Sequence, residues 1–152
     1  MKKIASLLQL FFTLLFTTGY TQSDLPVNVF AEKVQDSVAL KVSVIFSVDS
    51  NWIVYDSIAG EDGPIPISFQ LMDSKGKKVN YQLRKPNFKK KYDDLFMMDI
   101  FYFEDSARYE MSLPTSLKGE SMLTIDVEYM SCNLTTGVCM PPANKLLKIE
   151  MQ

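Results

Sequence analysis

The stretch "SVALKVSVIFSV", residues 37–48, sets Val38, Leu40, Val42, Val44, Phe46 and Val48 in alternation with mostly polar residues. In an extended chain, successive side chains point to opposite faces, so this period of two predicts a half-buried β-strand. Shorter runs repeat the pattern at "WIVYD" (52–56), "PISFQLM" (66–72), "KVNYQLR" (78–84), "IFYFED" (100–105) and "ARYEMSL" (107–113). Near the end, "MLTIDVEYM" turns Leu123, Ile125, Val127 and Tyr129 to one face and Thr124, Asp126 and Glu128 to the other, and "KLLKIEM" follows. The turn-forming clusters "EDGP" (61–64), "DSKGK" (73–77) and "LPTSLKGE" (113–120) separate the runs. Outside the N-terminal segment no amphipathic helix, repeat or linker interrupts the series. About seven to nine short strands in one domain predict an all-β fold, an immunoglobulin-like antiparallel β-sandwich.

The N-terminus has a different character. Lys2 and Lys3 precede the uncharged run "IASLLQLFFTLLF", which gives way to the small and hydroxylated residues of "TTGYTQ". A basic start, a short apolar stretch and a small-residue exit are the parts of a secretory signal peptide. A membrane-spanning helix would need roughly 20 apolar residues. No cysteine stands at the exit to carry a lipid. Residues 1–21 are therefore expected to be a signal peptide cleaved between Gly19 and Gln22. Residues 22–152 are then a periplasmic or secreted domain with no stable membrane anchor after cleavage. At roughly 130 residues, that domain is long enough for one core of its own.

Composition removes several functions. Without Lys2 and Lys3 the 16 basic residues fall to 14 against 18 acidic, a net charge of −4. No nucleic-acid partner is expected, since such binders carry a concentrated basic face. The runs "KGKK" (75–78) and "KKK" (89–91) read as solvated turn and edge positions, the second diluted by Asp93 and Asp94. The chain has no histidine. Ser-His-Asp and Cys-His catalysis are thereby excluded, and the commonest metal ligand is missing. Two cysteines alone make a poor zinc site, so no metal and no cofactor are expected. The nine methionines are dispersed and read as packing. "NLT" (133–135) fits an N-glycosylation site, which would matter only in a eukaryotic secretory pathway.

The two cysteines lie in "SCNLTTGVCMPP" (131–142), six residues apart, between the last two expected strands. Facing strands bring Cα atoms to about 5 Å, within disulfide range. Two readings are open. An exported domain with two cysteines commonly uses them as a structural staple. Against this, closing an eight-residue ring contributes only about 2.5 kcal/mol by chain entropy, and immunoglobulin domains stabilised this way bridge the two sheets instead. Between Tyr129 and Pro142 there is no Lys, Arg or His to lower a thiol pKa from its ordinary value of about 8.5. A reduced pair here is a sluggish nucleophile, and an oxidised pair is a target for thiolates brought by others.

"YMSCNLTTGVCMPPANKLLKIEM" resembles the end of the N-terminal (alpha) domain of the DsbD thiol–disulfide interchange family: a strand, a cysteine, a short loop with Gly-x-Cys, Pro-Pro, and a final strand. "WIVYD" resembles the family's aromatic strand beside its active site. "GPIPISFQL" (63–71) is similar to a segment of its Bacteroidetes-like branch, and "KYDDLFMMDIFYFED" (91–105) sits at the position of its cap loop. The loop between the cysteines is slightly longer here than in the proteobacterial members. The resemblance implies a thiol–disulfide exchange module that passes electrons between a thioredoxin-like donor and exported clients, with a membrane electron transporter as a further partner. By family position Cys139 forms the mixed disulfide and Cys132 resolves it. Leu95 and Phe96 are then the cap, and Tyr55 and Trp52 line the site. The rival from another class is a non-catalytic binding or assembly domain with a structural disulfide. A third reading is a relative that keeps the fold without turnover.

Overall fold

A computed structural model describes residues 25–34, 39–60, 62–94 and 96–151; the expected signal peptide and Leu95 lie outside the described residues. Eleven strands follow in chain order: β1 (Val27–Val34), β2 (Lys41–Val48), β3 (Trp52–Ile58), β4 (Ser68–Met72), β5 (Gln82–Arg84), β6 (Lys89–Asp93), β7 (Met98–Phe103), β8 (Ser106–Ser112), β9 (Met122–Tyr129), β10 (Ser131–Asn133) and β11 (Ala143–Glu150). They form three antiparallel sheets, β1-β2-β8-β5, β10-β3-β7-β6 and β11-β9-β4. Helical structure among the described residues is limited to a 3-10 turn at Thr115–Leu117. None of it is long and apolar enough to cross a membrane. The architecture is the all-β immunoglobulin-like one expected.

The alternating strands behave as their pattern requires. On β2, Val42, Val44, Phe46 and Val48 are buried, and on β9 Leu123, Ile125, Val127 and Tyr129 are buried. These faces meet in the main core, with Val54 of β3 and Phe103 of β7 added from the third sheet. Phe46 is its centre: the rings of Phe69, Phe103, Tyr109 and Tyr129 stand edge-on around it at 5.5–6.5 Å. Edge-on packing sets the positive rim of one ring against the negative face of another.

Two elements differ from the sequence reading, and a third agrees with it. β1 has alternating Val27 and Val29, but exposed Phe30 and Lys33 mask a strand that pairs with β2 along its whole length. The run at 78–84 divides: Lys78 and Val79 close against β4, Tyr81 donates its hydroxyl to the Phe69 carbonyl at 2.8 Å, and only Gln82–Arg84 joins β8. The lysines at 89–91 occupy the edge position expected, as β6. Lys90 lies over the Phe101 ring and Lys91 over Tyr102, their ammonium groups 5.7 and 5.5 Å from the ring centres. Charged residues on an edge strand discourage pairing with another chain.

Candidate functional site

A break in alternation makes the site. Along β9 every second residue is buried up to Tyr129, and then Ser131 and Cys132 are buried in succession. This one-residue shift carries the chain out of its sheet with β11 and onto β3, with Ser131 opposite Val54, Cys132 opposite Ile53 and Asn133 opposite Trp52. Because parity is exchanged, Cys132 faces away from the main core. The chain then folds back on itself. Asn133 Oδ1 accepts the N–H groups of Thr135 (3.0 Å) and Thr136 (2.9 Å), and the Asn133 carbonyl accepts that of Gly137 at 2.9 Å. Gly137 has φ of 69°, a left-handed conformation suited to glycine.

Two backbone bonds bracket the cysteines: Asn133 N–H to the Val138 carbonyl at 2.8 Å, and Met140 N–H to the Ser131 carbonyl at 2.9 Å. Cys132 and Cys139 are thus a non-hydrogen-bonded cross-strand pair, the geometry that brings facing side chains closest. They form a disulfide with Cα atoms 3.9 Å apart. Where the sequence placed the cysteines simply between the last two strands, the loop is a small hairpin of its own, seated on a different sheet.

Cys132 packs with Ile53, Tyr55 and Ile100 in a second buried cluster, and Ile58, Met98, Tyr102, Met130 and Cys139 lie against it. The two cysteines are not equally buried. Cys132 is 5% exposed, whereas Cys139 is half-buried and follows Val138, which is 58% exposed. Tyr55 is buried, and burial first, then the negative charge of Asp93, pushes its hydroxyl up to about 12. It stays neutral at any physiological pH.

Phe96 stands edge-on to Tyr55 with ring centres 6.5 Å apart, and its N–H points to Asp93 Oδ1 at 3.4 Å. Tyr55 and Phe96 are therefore brought together on the cysteine side of the sheet. Trp52 is not: it sits on the other face of β3, half-buried against the main core. Alternation along "WIVYD" explains the separation, since Trp52 and Val54 point one way and Ile53 and Tyr55 the other. Leu95 is outside the described residues. Among these, no group of three His, Cys, Asp or Glu side chains is gathered as metal ligands would be.

One buried polar group escaped the sequence reading. A register shift between Tyr55 and Ser57 turns Asp56 inward, where it is 3% exposed. Its carboxylate accepts the Tyr109 hydroxyl (2.8 Å), the Ser57 hydroxyl (3.0 Å) and the Lys85 ammonium (3.0 Å). The only hint in the sequence is an acid following a run of strand residues.

The family described as "Thiol:disulfide interchange protein DsbD, N-terminal" matches residues 23–151. The chain belongs to this family. It is thus a domain of a thiol:disulfide interchange family, and it carries a disulfide. The fold agrees. The Neisseria meningitidis DsbD N-terminal domain in its reduced form aligns with a TM-score of 0.58 at 17% identity, over 80% of this chain and 83% of that one. The DsbD N-terminal domain in complex with the PilB N-terminal domain, also from Neisseria meningitidis, gives 0.54 at 15% identity, over 79% and 80%. At such identities the likeness is one of fold. No curated protein sequence matches the chain significantly.

Proposed function

We propose that this DsbD N-terminal domain is an exported shuttle whose Cys132–Cys139 disulfide exchanges with thioredoxin-like proteins. The observation that carries the reading is the unequal exposure of the two cysteines: Cys132 is buried, whereas Cys139 is half-buried. A donor thiolate attacks Cys139 Sγ, the Cys132–Cys139 bond breaks, and Cys132 leaves as a thiolate that takes up a proton. The donor's second thiolate then attacks the donor sulfur of the mixed disulfide. The donor is released oxidised and the pair here holds two thiols. In the second half, the Cys139 thiolate attacks a client disulfide, and Cys132 attacks Cys139 Sγ to release the reduced client. Each half moves two electrons, and no cofactor takes part.

Exchange rate depends on thiolate fraction and access. With no cation in the Tyr129–Pro142 segment, the activated thiolate of the first half comes from the partner, and the attack by Cys139 in the second half is the slower one. That an N-terminal domain of this family from Neisseria meningitidis has been seen in complex with another protein's domain supports a protein partner. Phe96, placed on Tyr55, is read as the cap that a partner displaces and that excludes passing small thiols.

Trapping tests the assignment. Cys132→Ala, mixed with an activated thioredoxin-like protein, is expected to hold a stable mixed disulfide through Cys139, and Cys139→Ala far less. Equal trapping by both variants, or none by either, overturns the assigned roles.

A further inference from the structure

Gly60 and Gly63 lie in the turn between β3 and β4, and neither has the positive φ that asks for glycine. Space is what excludes a side chain. A Cβ on Gly63 would stand 2.8 Å from Met98 Sδ, 3.2 Å from its Cε and 3.2 Å from Ile58 Cδ1, and one on Gly60 would stand 3.0 Å from Met98 Cε and 3.5 Å from Sδ. The two glycines form a cradle filled by one thioether.

Met98 is well placed to transmit that contact. It opens β7, it pairs with Asp93 to close the β6–β7 hairpin, and it packs on the cluster that contains Cys132. The hairpin tip beyond it holds Phe96 and then Met97, whose φ of 52° is uncommon for any residue but glycine. A backbone bond from Ala59 N–H to the Asp99 carbonyl, 3.1 Å, clasps the same two segments beside the thioether. An unbranched, flexible thioether suits an irregular gap of this kind.

We propose that Met98, seated between Gly60 and Gly63, is the positioning residue that sets the hairpin tip over the disulfide and so sets how readily the pair exchanges. The inference rests on the cap reading above and goes beyond it, since it places control of the cap in a loop distant in sequence from both cysteines.

The crowded atoms are the far ends of two side chains, Met98 the nearer and Ile58 the other, so a methyl group on Gly63 displaces Met98 first rather than the backbone. Gly63→Ala is therefore expected to fold and to raise the rate of disulfide reduction by dithiothreitol about fivefold, as attack follows the population of the open tip. Met98→Ala gives a similar rise, Met98→Leu stays within about twofold of the native rate because volume is kept, and Gly63→Ala adds little further in the Met98→Ala background, where only the Ile58 contact remains. That loss of additivity is the signature of one contact. If Gly63→Ala is too unstable to assay, Gly60→Ala imposes the milder clash. Melting curves accompany every rate.

A native rate in folded Gly63→Ala and in Met98→Ala overturns the proposal, as does a Gly63→Ala effect that persists undiminished without Met98. Phe96→Ala, measured in parallel, separates the two readings. A faster Phe96→Ala with unchanged glycine and Met98 variants leaves the cap standing and removes the positioning role. The reverse pattern keeps Met98 as the guard and removes Phe96 as the cap.

Discussion

Asp56 illustrates how much one side chain can join. Its carboxylate takes bonds from Tyr109 on β8, Lys85 before β6 and its neighbour Ser57, so it ties the sheet under the disulfide to the sheet across the core. Removing it strands a buried hydroxyl and a partly buried ammonium. Asp56→Ala is expected to cost about 3 kcal/mol, and Tyr109→Phe about 2 kcal/mol, in urea denaturation, as hydrogen bonds to charged groups are the stronger ones. The tyrosines also set an alkaline limit. Burial raises Tyr109, helped by Asp56, and burial raises Tyr55, Tyr81 and Tyr129 above their ordinary value. Above pH about 10 the unfolded chain has given up phenolic protons that the native chain keeps, so unfolding releases protons and stability falls as pH rises. Below that pH both states are protonated and these groups contribute no slope. Measured between pH 8 and 11, the decline should be shallower in Tyr109→Phe than in the native chain; an equal slope would remove Tyr109 from the cause.

At the scale of elements, the segment from β9 to β11 is the informative one. The hairpin around Cys132 and Cys139 is closed by its own backbone bonds and by Asn133, so it does not depend on the disulfide for shape. The double variant Cys132→Ala/Cys139→Ala is expected to keep its circular dichroism spectrum and to melt less than about 10 °C lower, given the small ring. Unfolding at room temperature would return the pair to a structural role. β2, β9 and β11 could be read from the sequence because apolar side chains recur at every second position along each. β10 could not, since its three residues are defined by pairing with β3, a partner that no local pattern names. The same holds for the cradle of Met98: "GEDGP" reads as a turn, and only the folded chain shows that its glycines face a thioether. The pairing of the two cysteines was legible from their spacing between strands, while Trp52, packed on the main core, and Tyr55, packed beside Cys132, show that two aromatics three residues apart on a strand fall on opposite faces.

For the whole molecule, the main core and the cluster under the disulfide are separate bodies of packing that share one floor. Val54 and Phe103 look down from β3 and β7 into the main core, and Ile53, Tyr55 and Ile100 look up from the same strands toward Cys132. Phe46→Ala, which empties the middle of the lower body, is expected to cost about 4 kcal/mol. Ile100→Ala also removes buried volume, but it should open the upper body first, showing as faster reduction of the disulfide at temperatures where the β2 and β9 amides still resist hydrogen exchange. Loss of protection everywhere at once would mean that the two bodies open as one. A floor finished on both sides has a consequence for descent as well as for folding. The upper surface can change residue by residue, while the lower surface goes on specifying the same sandwich.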